Sequence, residues 1–235
     1  MLNRSVALTT IALGVLSAAA LAQVLFLDFG RTDLQSDPMR FNNFVPGVSL
    51  INNAIDENGA LTGMSIEIVD PFFNSGEPSS LGTETPMGAA AQFGAAATDD
   101  YYFGHTTPFA GADPNPLGIV EFSNLNAGYL YTFTIFASRS GVNDTRDAQY
   151  SLVGGNNATG SLNASNNDSN VLVLADLIAD DNGIISLSVS PGPNNDNTNG
   201  FFYLGAIRID AVVPAPATAA LPGAAGLLML RRRRA

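Results

Sequence analysis

The sequence contains no cysteine, no tryptophan and no lysine, and it has a single histidine, His105. Without cysteine, disulfides and thiolate metal sites are excluded, so packing alone must stabilise the fold. One imidazole without cysteine makes a poor zinc site, and neither a G-x-S-x-G nor an H-E-x-x-H motif occurs. We therefore interpret His105 as a surface loop residue and predict that the protein is not an enzyme.

Positive charge is scarce outside the two ends of the chain. The sequence has 10 basic and 21 acidic residues, but Arg4 and the run from Arg231 to Arg234 account for half of the basic ones and no acid lies in either end. The middle portion, residues 23–212, keeps 5 arginines against 21 acids, a net charge of −16. Such a surface repels nucleic acid, whose binding requires neutralisation of phosphates.

The first 22 residues have the layout of a secretory signal peptide. Arg4 supplies the positive n-region, Val6 to Leu16 is an apolar run, and Ala20-Leu21-Ala22 is a small-residue cleavage site. This order predicts a signal peptide over residues 1–22, with cleavage between Ala22 and Gln23. An N-terminal membrane anchor is the alternative.

Residues 213–235 combine prolines, an apolar segment and a block of arginines. The segment Ala217 to Leu230 is short for a permanent span of about 20 residues, and arginines after an apolar run favour the cytoplasmic side of a membrane. The tail resembles the PEP-CTERM sorting signal of bacteria, although Ala215 stands at the place of its glutamate. The matching residues are Val213, Pro214, Pro216, Arg231, Arg232, Arg233 and Arg234.

The sorting resemblance implies an exosortase-like processing enzyme as a partner and a transient membrane anchor through the tail. Together with the signal peptide it predicts export to the cell surface or the extracellular matrix. An ordinary basic tail on a disordered terminus is the alternative.

The middle portion, residues 23–212, reads as a single all-β domain of about 190 residues. Tyr129 to Ser138 and Ile185 to Ser190 alternate side chains with period two, which is typical of half-buried strands. About eight strands without alternating helices favour a jelly-roll β-sandwich. The other candidate strands are Val24–Phe29, Ser65–Val69, Gly118–Phe122, Gln149–Val153, Val171–Ala175 and Phe201–Asp210.

Three segments interrupt the strand pattern. Gly88 to Thr98 is alanine-rich and compatible with a short helix, although Gly94 weakens it. The asparagine-rich stretches Asn156 to Asn170 and Asn194 to Asn199 are interpreted as solvated turns in which asparagine bonds its own main chain.

A set of short segments forms a recognisable pattern along the middle portion: Leu27–Gly30, Asp56–Gly63, Leu125–Arg139, Arg146, Tyr150, Gly154, Asn182–Gly183 and Phe202–Ala206. Together they resemble secreted bacterial β-sandwich modules of galactose-binding-like, or malectin-like, topology. The resemblance implies this sandwich fold, glycan binding in some members, and room for one structural calcium near a strand end, for which no ligands are assigned. No other cofactor is expected.

The stretch from Ser138 to Tyr150 carries the candidate ligand-binding residues. Arginine, asparagine and aspartate provide planar donors and acceptors for sugar hydroxyls, and tyrosine provides an aromatic face. The alternative is structural. Two of the five arginines of the acidic middle portion would pair with a carboxylate such as Asp144 or Asp147 and hold the loop in place. The candidate residues are Arg139, Asn143, Asp144, Arg146 and Tyr150.

Three functional hypotheses follow. The first is a surface-anchored module that binds carbohydrate or extracellular polysaccharide, and the second is a structural matrix component without sugar affinity. The third is a carboxylate-dependent glycoside hydrolase, which requires two acids about 5–10 Å apart in a cleft. The adjacent pairs Asp99-Asp100 and Asp180-Asp181 do not meet this condition by themselves, because neighbours on a strand point to opposite faces.

Overall fold

The computed structural model describes residues 23–73, 78 and 80–214, and this part is nearly all β. One short α-helix, α1 (Ala96–Asp99), and a 3₁₀ helix (Gly88–Gln92) are the helical elements of the described part. The strands are β1 Gln23–Phe29, β2 Phe41–Phe44, β3 Leu50–Ile51, β4 Ser65–Asp70, β5 Tyr102–Gly104, β6 Gly118–Ser123, β7 Leu130–Phe136, β8 Asp147–Val153, β9 Asn157–Asn163, β10 Leu172–Leu177, β11 Ile185–Pro191, β12 Phe202–Leu204 and β13 Ala206–Val212.

Two sheets face each other. One has five strands in the order β10-β7-β13-β1-β2, and the other has six in the order β3-β4-β6-β11-β8-β9. Neighbouring strands pair antiparallel except β1 and β2, which run parallel. A third, two-stranded sheet joins β12 to β5.

The main core lies between the two large sheets. Tyr131, Phe133 and Ile135 of β7 point inward from the five-stranded sheet, and Phe136 on the other face of the strand is buried as well, so β7 is covered on both sides there rather than half-buried as predicted. Val120 and Phe122 of β6 meet them from the six-stranded sheet. Because both inner faces are apolar and sealed, the sheets stack as a β-sandwich, and the sequence prediction is confirmed at this level.

The helical segment covers the other face of the five-stranded sheet. Phe93 packs edge-on against Phe26 of β1 and tilted against Phe136 of β7. Gly94 adopts a φ of 75°, and the 3₁₀ helix and α1 lie on either side of it, so the alanine-rich stretch forms two short helices rather than one.

Several features of the strand pattern differ from expectation, and three strands, β2, β3 and β5, were not predicted at all. The segment Phe201 to Asp210 contains two strands rather than one. Strand β12 pairs with β5 in the two-stranded sheet, and after Gly205 the chain continues as β13 in the five-stranded sheet. Much of the asparagine-rich stretch Asn156 to Asn170 is strand β9, whose backbone pairs with β8 along its whole length. The prediction of solvated turns is wrong there, since main-chain pairing at a sheet edge needs few apolar side chains.

Residues 1–22 and 215–235 lie outside the described part. The signal peptide, its cleavage residues Ala20 and Ala22, Pro216 and the arginines 231–234 therefore stay predictions. Val213 and Pro214 are exposed at the end of the described chain. Among the described residues, no helix has the length and apolar character needed to cross a membrane.

Candidate functional site

Two of the predicted site residues, Arg139 and Arg146, meet at a pocket of about 310 Å³. Arg139 follows β7, and Arg146 precedes β8. The rest of the lining is aromatic apart from one exposed leucine: Tyr101, Phe103, Phe109, Phe201, Tyr203 and Leu81. No acidic side chain belongs to this lining among the described residues.

Strand alternation in β5 and β12 builds the aromatic wall. Tyr101 and Phe103 face the pocket, and Tyr102 between them packs against the main core. Phe201 and Tyr203 face the pocket in the same way, and Phe202 points into the core. Successive strand residues point to opposite faces, so each aromatic run serves the core with one face and the pocket with the other.

The rings form a continuous cluster. Phe103 lies opposite Tyr203 in the β5–β12 register, with ring centres 6.2 Å apart. Tyr101 meets Tyr203 edge-on at 4.7 Å, and Phe109 meets Phe201 edge-on at 4.9 Å. Edge-to-face pairs of this kind stabilise one another beyond simple burial, so the wall is preorganised.

Arg146 is held in place from three sides. Its Nε donates to Asp144 Oδ1 at 2.9 Å, and its Nη1 donates to the Tyr203 hydroxyl. The guanidinium carbon lies 5.2 Å from the centre of the Phe201 ring, within cation–π range. The structural interpretation, in which an arginine pairs with Asp144 and pins the loop, is therefore confirmed for Arg146.

Two ionisable groups around Arg146 have shifted pKa values. Burial alone would raise the pKa of Asp144, but the hydrogen bonds from Arg146 and Asn197 outweigh it and hold that pKa below its usual range. Burial raises the pKa of Tyr203, so its hydroxyl keeps its proton at neutral pH. A protonated Tyr203 accepts from Arg146 and still has a proton to donate.

The asparagine-rich stretch Asn194 to Asn199 positions Phe201. Asn195 Nδ2 donates to the Phe201 carbonyl at 2.7 Å, and Asn197 Oδ1 accepts from the Phe201 amide at 3.3 Å. Asn197 Nδ2 also donates to Asp144. The predicted asparagine-to-main-chain bonds are present, and they tie the pocket wall to the Arg146–Asp144 pair.

Arg139 differs from Arg146 in having no acidic partner. Among residues 23–73, 78 and 80–214 it forms no ion pair, and its Nη1 donates only to the Ser140 carbonyl. Its main chain is fixed independently, since the Arg139 amide donates to Ala164 at 2.7 Å and its carbonyl accepts from Asn166 at 2.9 Å. Within the described part of the chain, the pocket therefore carries one positive charge that has no ion-pair partner, on a fixed backbone.

The other predicted site residues do not line the pocket. Asn143 is exposed on the loop beside the pocket. Asp144 accepts a hydrogen bond from Arg146 but does not itself line the pocket. Tyr150 is fully buried, and its hydroxyl donates to the Tyr203 carbonyl at 2.6 Å. The prediction that Tyr150 offers an aromatic face to a ligand is wrong, because this ring belongs to the core beneath the pocket wall.

His105 is also buried rather than a surface residue. Its ring contacts Phe73, Phe103 and Phe109, with centres 4.7, 6.4 and 5.6 Å away. Nδ1 lies 2.7 Å from the Thr107 carbonyl, which can only accept, so we assign the proton to Nδ1. The interpretation of His105 as a surface residue fails because the aromatic cluster encloses the imidazole.

A second pocket, of about 230 Å³, lies elsewhere on the molecule. Val48, Ile68 and Phe72 contribute to a mainly apolar lining that includes no charged side chain among the described residues. Pro78 on its wall stands between residues that the structure does not describe. We favour the first pocket as the functional site, since apolar walls combined with a few polar groups are what ligand sites need.

One pair of acidic residues in the described part of the chain lies close together but is sealed from solvent. Asp28 and Asp100 interact with each other, but they are only 2% and 1% exposed. In the described part, no group of three or more histidines, cysteines, aspartates or glutamates could hold a metal ion. At the Asp180 turn, the carboxylate accepts from the amides of Asn182 and Ile184. The structural calcium therefore stays a prediction.

The pinning of Arg146 has a measurable consequence. Arg146→Ala is expected to lower the free energy of unfolding by about 2–3 kcal/mol, because it leaves Asp144 without its cation and removes a ring contact. Tyr203→Phe, the matched variant that removes only the acceptor hydroxyl, is expected to cost about 1 kcal/mol. Urea unfolding followed by circular dichroism measures both, and an Arg146→Ala variant as stable as the wild type would contradict the pinning role.

Comparison with known proteins gives distant structural likenesses. No protein-family model matches the chain, and no curated protein matches its sequence. The extracellular domains of ANXUR2 and ANXUR1 from Arabidopsis thaliana are similar over 83% of this chain, at 12% and 9% identity and TM-scores of 0.44 and 0.41. This chain spans 52% of each of those domains.

A third solved structure is TmCBM61 in complex with β-1,4-galactotriose, similar over 63% of this chain and 78% of its own, at 14% identity and a TM-score of 0.24. Likenesses this distant do not identify a ligand.

Proposed function

We propose that this protein is an exported, surface-anchored β-sandwich without catalytic activity, of galactose-binding-like jelly-roll type, that binds carbohydrate in the pocket between β5, β12 and the Arg139 and Arg146 loops. The observation that carries the proposal is the composition of this pocket. Five aromatic side chains and two arginines surround about 310 Å³, at the small end of the range for ligand pockets. Export and anchoring rest on the predicted signal peptide and sorting tail.

The pocket matches the two surfaces of a sugar. One face of a pyranose ring presents C–H groups, which pack against apolar walls such as Phe103 and Phe109. The rim presents hydroxyls, which need donors and acceptors in fixed directions. Arg146, oriented by Asp144, and the Tyr203 hydroxyl supply such groups at one side of the rings.

Phe109 provides the sharpest test because it is half-buried and lies in a loop rather than in a sheet. Phe109→Ala is expected to weaken polysaccharide binding about 30-fold, since truncating an aromatic hot-spot residue costs about 2 kcal/mol and each 1.4 kcal/mol is tenfold. Affinity electrophoresis against galactan, mannan, xylan, alginate and polygalacturonate, followed by titration calorimetry with whichever binds, measures the loss.

Leu61→Ala is the matched control. This side chain is 69% exposed in a separate hairpin, so its truncation should leave both binding and stability unchanged. Thermal unfolding of each variant shows whether the fold is retained. Failure of the wild type to bind any polysaccharide would contradict the proposal and favour a structural matrix component without sugar affinity.

A further inference from the structure

Building on the proposed function, we infer that the pocket selects sugars that carry a carboxylate, that is, uronic acid residues, and that Arg139 is the residue that determines this specificity. The starting observation is the scarcity of positive charge. The middle portion of the chain has five arginines and no lysine, and two of the five line this one pocket.

The other three arginines are engaged elsewhere. Arg31 pairs with Asp33 at 2.8 Å, and Arg208 pairs with Asp210 at 2.6 Å. Arg40 lies over the Phe26 ring, with its guanidinium carbon 4.3 Å from the ring centre. None of them lines the aromatic pocket.

The two pocket arginines contribute unequal charge. Arg146 is neutralised by Asp144 and oriented by Tyr203, so it acts as a directional donor. Arg139 forms no ion pair within the described part of the chain, and the pocket lining there contains no carboxylate. Arg139 is therefore a cation without an ion-pair partner among the described residues of a middle portion whose net charge is −16, and a negatively charged ligand is a natural partner for it.

The shape of the partner group follows from the guanidinium. A guanidinium donates through two parallel N–H groups, a fork that matches the two oxygens of a carboxylate. The aromatic wall beside Arg139 requires an apolar ring face next to that carboxylate. A uronic acid carries both on one ring, with the carboxylate at C5 and C–H groups on the ring face.

The overall negative charge does not prevent this binding. At physiological ionic strength, charges more than about 8 Å apart are largely screened, so the local guanidinium dominates the field inside the pocket. The distant acids slow the approach of a polyanion at low salt. Added salt should therefore change the association rate more than it changes the preference for acidic sugars.

The test compares acidic polymers with neutral ones, and its matched pair is polygalacturonate and the methyl ester of the same polymer. Binding of polygalacturonate, its fully methyl-esterified form, alginate, dextran sulfate and neutral galactan to the mature protein is measured by titration calorimetry. We expect at least one of the two uronate polymers to bind about 10- to 100-fold more tightly than the ester and the galactan, the range for a charge-assisted bidentate contact.

Arg139→Gln should abolish that preference, and its main-chain bonds to Ala164 and Asn166 keep the loop in place. Arg40→Gln, which makes the same change in net charge outside the pocket, should retain the preference.

Equal binding of acidic and neutral polymers, or an unchanged preference in Arg139→Gln, would overturn the inference and leave carbohydrate binding intact. Dextran sulfate binding as tightly as the uronates would reduce the site to a general anion site and overturn the carboxylate assignment. Absence of binding to every polymer would overturn the proposed function as well.

Discussion

At pH 9, Asp100→Asn is expected to unfold with a free energy several kcal/mol higher than that of the wild type, whereas at pH 5 the two should differ little. Asp100 is 1% exposed, and its Oδ2 accepts from the Arg31 amide at 2.6 Å. Its Oδ1 has no hydrogen-bond partner among the described residues. Burial and the neighbouring Asp28 raise the pKa of Asp100 to about 8.

The direction of the pH dependence follows from these raised values. Burial also raises the pKa of Asp28 to about 6. Both carboxyls bind their proton more tightly in the folded than in the unfolded chain. Their contribution to stability is complete below the unfolded value near 3.8 and is lost as the pH rises through about 6 and then about 8. The free energy of unfolding of the wild type should therefore fall between pH 5 and pH 9.

Asparagine mimics the protonated carboxyl, so each variant should lose less of its free energy of unfolding between pH 5 and pH 9 than the wild type does. Asp28→Asn should stabilise the protein by about 3 kcal/mol at pH 9, since two pKa units correspond to roughly that energy. Asp100→Asn should stabilise the protein by more than Asp28→Asn at pH 9, because the pKa of Asp100 is raised further than that of Asp28. Asp113→Asn, at an exposed position, is the matched control and should follow the wild type at every pH.

Urea unfolding at pH 5, 7 and 9, in EDTA and again in calcium chloride, measures these differences. An Asp100→Asn variant that gains nothing over the wild type between pH 5 and pH 9 in EDTA would contradict the argument. A variant less stable than the wild type only in calcium would instead identify Asp100 as a ligand of the predicted structural calcium.

Phe133→Ala is expected to lower the free energy of unfolding by about 3–5 kcal/mol, the range for removing a buried phenylalanine. Phe133 is fully buried in β7, between β10 and β13. Its ring meets Phe122 of β6 edge-on, with centres 5.0 Å apart. Because these two strands belong to different sheets, the pair joins the two layers, and the cavity left by alanine opens at their interface.

A double-mutant cycle separates the ring pair from general packing. Phe133→Leu and Phe122→Leu keep most of the buried volume and should each cost less than alanine does. Their combined effect should fall short of additivity by about 0.5–1.5 kcal/mol, the contribution of the ring pair. Val173→Ala, 52% exposed on the neighbouring β10, is the control for strand truncation. A Phe133→Ala variant that loses less than 1 kcal/mol would show that the layers are not held together at this point.

The fold was predictable wherever side-chain alternation is strong. Tyr131, Phe133 and Ile135 alternate with Thr132 and Thr134, and this local pattern alone identifies the strand, although it does not show that Phe136 on the other face is buried too. Strand β9 was missed because Leu162 is its only buried side chain and the rest of the stretch is polar. Its partner is β8, and pairing with a strand that is already in place leaves little signal in the strand's own composition.

The candidate site was predictable only in part. Arg139 and Arg146 were identified because arginine is rare here, and the Asp144 partner was among the expected acids. Tyr150 was placed on the wrong side of its strand, since the sequence does not say which face of β8 is covered. The aromatic wall was missed although both runs alternate, because alternation shows that one face differs from the other but not that Phe103 and Tyr203 meet.

The sequence by itself determined the all-β character, the positions of the strong strands and the concentration of arginine in one loop, because each depends on neighbours along the chain. Only the tertiary structure decided that β5 pairs with β12, that their outer rings meet Arg139 and Arg146, and that Asp28 is buried beside Asp100. These contacts join residues far apart in the chain. Strand pairing selects such partners through the packing of the whole domain, and no local pattern encodes it.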